Sequence, residues 1–319
     1  MPKELEFLAE VAHMYYKERL NQQAIAERLG ISRSMISRFL DKAEQKGVVE
    51  IIIHYPDNRN QDLERRMRAA FGVEEIRVSA DKDDSAEERA GYFEACGLAA
   101  RYILSLLADE TVMSVAWGRA VASVVHAMRP TRQYPGVQVV QPFGSALPNQ
   151  ALDGTAIIGE LATKLGGKAV YLHIPLHVGN EQTRNMLLND RNIKNVIKLA
   201  ARSDFIITGI GRSDGFSADE FSWNNYLTRR KLDSLLRRGS VGHIFTRHFD
   251  IDGSLLDIDD YNGIMGLSHE AYMKIPLRIG VAMGADKAAS IIGALRGGYI
   301  NSLVTDSEAA RRALELVAG

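Results

Sequence analysis

Gln23-Ala24-Ile25-Ala26-Glu27-Arg28-Leu29-Gly30-Ile31-Ser32-Arg33-Ser34-Met35-Ile36-Ser37-Arg38-Phe39-Leu40 sets two short helical periods on either side of one glycine. Gly30 suits the left-handed turn that a tight helix-to-helix connection needs. Ser32 stands where it would cap a second helix running from Arg33 to Glu44. Ile36, Phe39, Leu40 and Ala43 share an apolar face of that helix, and small Ala26 lets the two helices close on Ile25, Leu29, Ile31 and Ile36. The pattern is a helix-turn-helix. The other face of the second helix carries Arg33, Ser34, Met35, Ser37, Arg38 and Lys42, with Gln23 on the helix before it. Short hydroxyls, an amide and long cations suit base edges and phosphates in a major groove. Charge agrees: from Arg28 to Lys46 there are five basic residues against two acidic ones, whereas residues 1–54 hold eight of each. The positive charge is concentrated on the expected recognition helix. Upstream, Phe7, Leu8, Val11, Ala12 and Tyr15 recur at helical spacing; downstream, Val48-Val49-Glu50-Ile51-Ile52-Ile53 reads as a strand, half of a wing whose second half the sequence does not show.

The whole chain has 319 residues, 46% hydrophobic and 25% charged, an ordinary globular mixture that excludes wholesale disorder. The 39 basic and 40 acidic side chains leave a formal charge of -1, so any affinity for DNA must come from local patterning. A single cysteine, Cys96, excludes an internal disulfide and a multi-cysteine zinc site. No apolar run reaches membrane-spanning length, and Met1-Pro2-Lys3-Glu4 has no apolar stretch behind it, so a cytoplasmic protein without membrane contact is expected. The expected domains are a DNA-binding head over 1–55, a linker at 56–62 within the polar stretch from Tyr55, and an effector domain over 56–319. There, after a helix over Gln61 to Ala70, strands at Glu75–Val78, Val112–Ala116, Val137–Gln141, Ala169–His173, Phe205–Thr208, Val241–Phe245, Leu277–Ala282 and Leu303–Thr305 alternate with helical stretches. Those helices are expected at Glu87–Leu107, Gly118–Met128, Thr155–Leu165, Asn192–Ala201, Asn225–Arg238, Asp286–Leu295 and Asp306–Leu316, the last with a Thr305/Glu308 capping box. The fold class is α/β: a helix-turn-helix head and a Rossmann-like parallel sheet covered on both faces.

Ligands of such sheets lie beyond the carboxyl ends of strands. Four expected strand ends carry glycine- or polar-rich loops: 141–146, Thr208-Gly209-Ile210-Gly211, 245–250 and Ala282-Met283-Gly284-Ala285-Asp286-Lys287. Glycine lets backbone N–H groups approach an anion or a sugar hydroxyl, lysine at a helix start suits a phosphate, and aspartate suits vicinal hydroxyls. Taken singly, each of these loops reads equally as turn geometry; together they point to one face.

The chain resembles the SorC/DeoR-type bacterial sugar-binding transcriptional regulators over its whole length. The resemblance is carried by residues 24–32 with Ser37-Arg38-Phe39-Leu40, by Val115-Ala116-Trp117-Gly118, Gly209-Ile210-Gly211, Val241-Gly242-His243-Ile244 and Phe249-Asp250-Ile251-Asp252-Gly253, and most specifically by Leu295-Arg296-Gly297-Gly298-Tyr299-Ile300-Asn301-Ser302-Leu303-Val304-Thr305-Asp306. It implies an effector domain like sugar-phosphate isomerases, a dimer or tetramer on double-stranded operator DNA, and control by a sugar, polyol or sugar phosphate with no cofactor. It also implies roles: Gly144, Ser145 and Ala146 at the ligand, often its phosphate; Asp250 on hydroxyls; Lys287 on a phosphate or other oxygen; Gly211 and Thr246 lining the pocket. His177, after a strand end, joins them as a pocket candidate. Two positions depart from the family's paired glycines, Gly144-Ser145 and Met283-Gly284, and a bulkier Met283 would narrow the space near Lys287. Phosphorylated and unphosphorylated effectors both stay open.

Other readings compete. A Lys287–Asp250 pair could transfer protons on an open-chain sugar, making the effector domain an isomerase-like enzyme fused to a DNA-binding head. A pure interaction protein would take no small ligand. Dinucleotide binding fails on spacing, because Asp214 stands where the third glycine after Gly209-x-Gly211 belongs. His173 and His177 cannot share a regular helical face with Pro175 between them, so they make no zinc-protease motif. Cys96 and Trp117 read as core, and Trp223 as a lid or interface residue.

Overall fold

The computed structural model describes residues 2–49, 58–81, 90–145, 153–214, 227–258 and 262–318. The chain forms two compact units, Met1–Pro56 and Asp57–Gly319.

The first unit opens with α1 (Pro2–Ala12), which continues as a π-helical turn over His13–Lys17, followed by α2 (Gln22–Leu29) and α3 (Arg33–Gln45). Asn21 caps α2 by accepting from Ala24 N, Gly30 ends it in the left-handed region at φ 66°, and Ser32 caps α3 by accepting from Met35 N. Leu8, Val11, Ile25, Ala26, Ile36, Leu40 and Ala43 are buried together, with Phe7 edge-on to Phe39 at 5.2 Å between ring centres. Val48 and Val49 form a bend rather than a strand, and the rest of the expected wing strand, residues 50–53, lies outside the described residues.

The second unit contains α4 (Gln61–Phe71), β1 (Glu75–Ser79), α5 (Ala90–Ser105), β2 (Val112–Val115), α6 (Arg119–Ala127), β3 (Gln138–Val140), α7 (Gly154–Leu165), β4 (Lys168–Val170), α8 (Glu181–Asn189), α9 (Arg191–Ala200), β5 (Phe205–Gly209), β6 (Gly211–Arg212), α10 (Arg229–Arg237), β7 (Ser240–Ile244), β8 (Arg247–Asp250), α11 (His269–Met273), β9 (Leu277–Val281), a 3-10 turn (Ala285–Lys287), α12 (Ala288–Arg296), β10 (Ser302–Asp306) and α13 (Ser307–Ala318). Seven strands form one parallel sheet in the order β1-β10-β9-β5-β2-β3-β4. Successive residues of a strand feed opposite cores: Phe205 and Ile207 pack with α5, α6 and α7, whereas Ile206 packs with the α12 and α13 side.

Three expectations need correction. Residues 58–60 are not linker: Asn60 N donates to Val78 O and Ala80 N to Asn58 O, and α4 begins at Gln61. The strand expected at Val241–Phe245 does not join the parallel sheet; it is β7, the middle of a separate antiparallel sheet β6-β7-β8. The last helix is capped by Asp306, whose Oδ1 accepts from Ala309 N at 2.9 Å, and not by Thr305. Residues 50–57, with the first two residues of the expected linker, and residues 87–89, 225–226, Ala146 and Trp223 lie outside the described residues. Cys96 is buried, as expected.

The strand order reverses direction between β2 and β5. From β2 the chain steps outward through β3 to β4, then returns to the other side of β2 and steps outward again through β9 to β10. In an open α/β sheet that reversal splays the two crossover connections and leaves a crevice beyond the carboxyl ends of the two strands. Trp117, Gly118 and Arg119 follow β2, and Ile210, Gly211 and Arg212 follow β5.

Candidate functional site

On the first unit, α3 presents Arg33, Ser34, Met35 and Arg38 to solvent, with Ser37 half-buried beside them and Gln23 exposed on α2. Met35 is an uncovered apolar side chain, 43% exposed. Lys42 faces elsewhere: its Nζ lies 2.6 Å from Glu4 Oε1 of α1, and Lys46 reaches the other oxygen of the same carboxylate at 3.4 Å. Both lysines hold Glu4 below the usual carboxylate range. The surface left for nucleic acid is therefore the amino-terminal half of α3, where a recognition helix meets base edges.

On the second unit, the crevice at the β2/β5 reversal gathers several charged groups. Lys287, half-buried in the turn before α12, donates from Nζ to Ile210 O at 3.2 Å. Burial pushes its ammonium below the ordinary lysine value; Asp286 and Asp214 oppose that shift, and Arg119 and Arg212 add to it. Arg212 makes a two-point contact with Asp214 at 2.9 and 3.0 Å and reaches Asp286 at 2.5 Å. These contacts raise Arg212 further and hold Asp214 down. The α6 helix starts here with Gly118 as its cap, and no side chain caps its first N–H groups. Gly211 is needed for packing: a Cβ there would lie 2.0 Å from His243 Cε1, so the imidazole of β7 sits directly on it. Behind His243, at 5.1 Å between ring centres, His248 is fully buried, its Nδ1 3.0 Å from Ser213 Oγ and 3.3 Å from Ser240 Oγ. Desolvation holds His243 well below the ordinary imidazole range, with His248 and Lys287 adding to the shift. Burial takes His248 down to about 3. Both rings are neutral at physiological pH.

The expected effector residues do not all converge. Gly211 and Lys287 meet in this crevice. Gly144 and Ser145 follow β3, the strand next to β2, and Ser145 Oγ lies 3.1 Å from Gln141 Nε2 and 3.4 Å from Thr155 Oγ1 in the first turn of α7. Gly144 is required by close approach, since a Cβ would lie 2.3 Å from Pro175 O. His177 runs beside Ile264, and its imidazole packs on Gly263. Thr246 sits at the tip of the β7–β8 hairpin. Asp250 is not brought to Lys287: its Oδ1 accepts from Asp252 N and Ser254 N at 3.0 and 2.8 Å, closing its own turn. Its carbonyl packs on Gly293, six residues and about 9 Å along the helix from Lys287. The proton-transfer pair imagined from the sequence therefore does not form. Met283 does not narrow the crevice either; it is 6% exposed and packs into the core with Val281, while Gly284 N donates to Asp306 Oδ2 at 2.8 Å. Among the described residues no cluster of three or more His, Cys, Asp or Glu could hold a metal.

Sequence reasoning missed Arg119, Arg212 and His243. Gly118-Arg119 and Gly211-Arg212 repeat one signal, a basic residue directly after a strand-end glycine. His243 had no such signal, because its place depends on a hairpin folding back onto Gly211.

The sequence profile of a family described as "Putative sugar-binding domain" matches residues 55–315, and that of a winged helix-turn-helix DNA-binding family matches residues 12–50. The chain belongs to the SorC/DeoR-type sugar-binding transcriptional regulators. It is 29% identical over 316 residues to the sorbitol operon regulator of Klebsiella pneumoniae, covering 98% of each chain. It is 28% identical over 311 residues to the transcriptional regulator LsrR of Escherichia coli K12, covering 96% of this chain and 94% of that one. The crystal structure of full-length SorC from Klebsiella pneumoniae superposes with a TM-score of 0.76 at 27% identity, covering 97% of this chain and 98% of that one. This SorC-type regulator thus joins a DNA-binding head to a sugar-binding domain, and its transcriptional function is modulated by a sugar-type effector. No helix among its described residues is long and apolar enough to cross a membrane.

Proposed function

We propose that this SorC-type regulator reads operator DNA of a carbohydrate-catabolic operon with Arg33, Ser34, Ser37 and Arg38, and that its effector is a phosphorylated sugar or polyol held at the β2/β5 crevice. The carrying observation is the meeting of Lys287, Arg119 and Arg212 beside an uncapped helix start. Asp214 and Asp286 are both held by Arg212, and Lys287 and Arg119 bring further positive charge to the helix start, which suits a phosphate. Neutral His243 on Gly211 and Ser145 beyond the next strand are suited to hydroxyls of the ligand. The protein acts as a cytoplasmic homodimer or homotetramer without a cofactor, and it binds its effector without turning it over, because Asp250 supplies no base beside Lys287.

The test is a thermal-shift panel that pairs pentoses, hexoses and polyols with their phosphates. A ligand at about 100 times its Kd adds close to 2.7 kcal/mol of apparent stability. A shift produced by a phosphorylated member alone, unchanged ligand on recovery, and loss of the shift in Lys287→Met are the expected results. A free sugar acting as well as its phosphate would refute the phosphate assignment, and converted ligand would refute the binding-only role.

A further inference from the structure

A second cavity lies in the same unit and shares no lining residue with the crevice at Lys287. It encloses about 80 Å³. On the scale in which one water needs about 10–15 Å³, that is room for roughly five to eight water-sized groups, the size range of a small organic acid. Its walls are aromatic. Phe143 stacks on Phe245 at 4.5 Å, Phe245 meets Tyr272 edge-on at 4.8 Å, and Phe249 stacks on Tyr299 at 5.1 Å. Both tyrosine hydroxyls donate to backbone carbonyls, Tyr272 to Tyr299 O and Tyr299 to Gly253 O, so the protein satisfies them itself and the rings serve as apolar surface. The polar part is Arg184 of α8 and Arg247 of β8 with Ser268 and His269, and no described lining residue is Asp, Glu, Asn or Gln. The half-buried Arg184 guanidinium has a buried Nε that makes no hydrogen bond. An uncompensated donor of a cation at an apolar wall calls for an anionic acceptor.

We propose that this cavity is a binding site for a small apolar carboxylate, aromatic or branched aliphatic. The carboxylate lies against Arg184 and the hydrocarbon against the ring faces of Phe245 and Tyr299. A sugar is the poorer occupant, because the walls lack the carboxylates and amides that pair several hydroxyls. The site does not rest on the effector assignment above.

Benzoate and 3-methylbutanoate are the probes, titrated into the full chain by calorimetry, with benzamide as the uncharged analogue. One saturable site per chain is expected for at least one acid, and binding of benzamide roughly tenfold weaker or worse. Arg184→Met should weaken the acid by a similar factor at unchanged melting temperature, with Arg184→Lys recovering part of it, while Lys287→Met leaves it unchanged. No saturable binding of either acid overturns the proposal, as does equal affinity for benzamide or an unaffected Arg184→Met. Loss of acid binding in Lys287→Met would place the acid in the effector crevice and equally overturn it. Failure of the sugar-phosphate panel bears only on the effector assignment.

Discussion

At the residue scale, His248 and Thr246 put their burial to different ends. His248 is fully buried with Nδ1 against two serine hydroxyls and is held down to about 3 by desolvation. The unfolded chain protonates the same ring near its ordinary value of about 6.5. Because the folded value is the lower one, the stabilising contribution is complete above pH 6.5 and fades as pH falls towards 3. Between pH 6.5 and 5 the loss from this one ring is about 1.5 kcal/mol. Urea unfolding of the second unit across that window should show the decline, and His248→Gln should flatten it; an equally steep decline in the variant would assign it to other groups. Thr246 occupies the left-handed region at φ 68°, next to Phe245 at φ 48°, and its buried Oγ1 makes no hydrogen bond. Backbone strain and an unmet hydroxyl persist where surrounding structure imposes them, often at ligand sites. Thr246→Gly relieves both, so it should raise stability by about 1 kcal/mol. If Thr246 also touches effector, the same variant binds effector more weakly, and one thermal-shift titration reads both effects.

At the element scale, α3 separates two kinds of cation. Arg38 is exposed on the face open to DNA, whereas Lys42 is held by Glu4. Arg38→Ala should therefore weaken operator binding by about 1–3 kcal/mol and relax specificity at one base position. Lys42→Ala should change affinity much less, since its charge is already engaged within the head. Anisotropy titrations at fixed salt, on operator and scrambled DNA, check both; equal loss on the two DNAs would make Arg38 a phosphate contact. Much of this organisation is legible in the sequence wherever local chemistry decides the outcome. The Ser32 cap, the left-handed Gly30, the apolar spacing of Ile25 and Ile36, and the β-branched run of β5 are all local signals. What escapes is set by distant contacts. The β7–β8 hairpin turns on Phe245 and Thr246, two residues whose chemistry gives no turn signal, so β8 is invisible and β7 passes for a strand of the parallel sheet. The same hairpin brings His243 onto Gly211 and leaves Asp250 at the far end of α12. Hence Lys287 is findable from its place after a strand-end glycine, but its neighbours are not.

At the scale of the whole molecule, the regulator's two units have to be coupled by free energy. An effector can change DNA affinity only by binding the DNA-competent and DNA-incompetent arrangements unequally. The coupling is then reciprocal: if effector alters operator affinity by some factor, operator alters effector affinity by the same factor, typically about 5–150. Helix-turn-helix heads read paired half-sites about 34–36 Å or a multiple of it apart, which the proposed symmetric oligomer of this chain would supply. Three titrations on a two-half-site operator test the scheme: effector into free protein, effector into the protein–DNA complex, and DNA into protein with and without effector. The two coupling factors should agree, and sedimentation should give a dimer or larger species on the DNA. In Lys287→Met both factors should fall to one while effector-free DNA affinity stays at the wild-type value, because the substitution removes the ligand's anchor and not the recognition helix. A variant that instead lost DNA affinity without effector would show that Lys287, through its bond to Ile210 O, holds the DNA-competent arrangement itself. The crevice would then be a structural strut on which the effector acts by displacement.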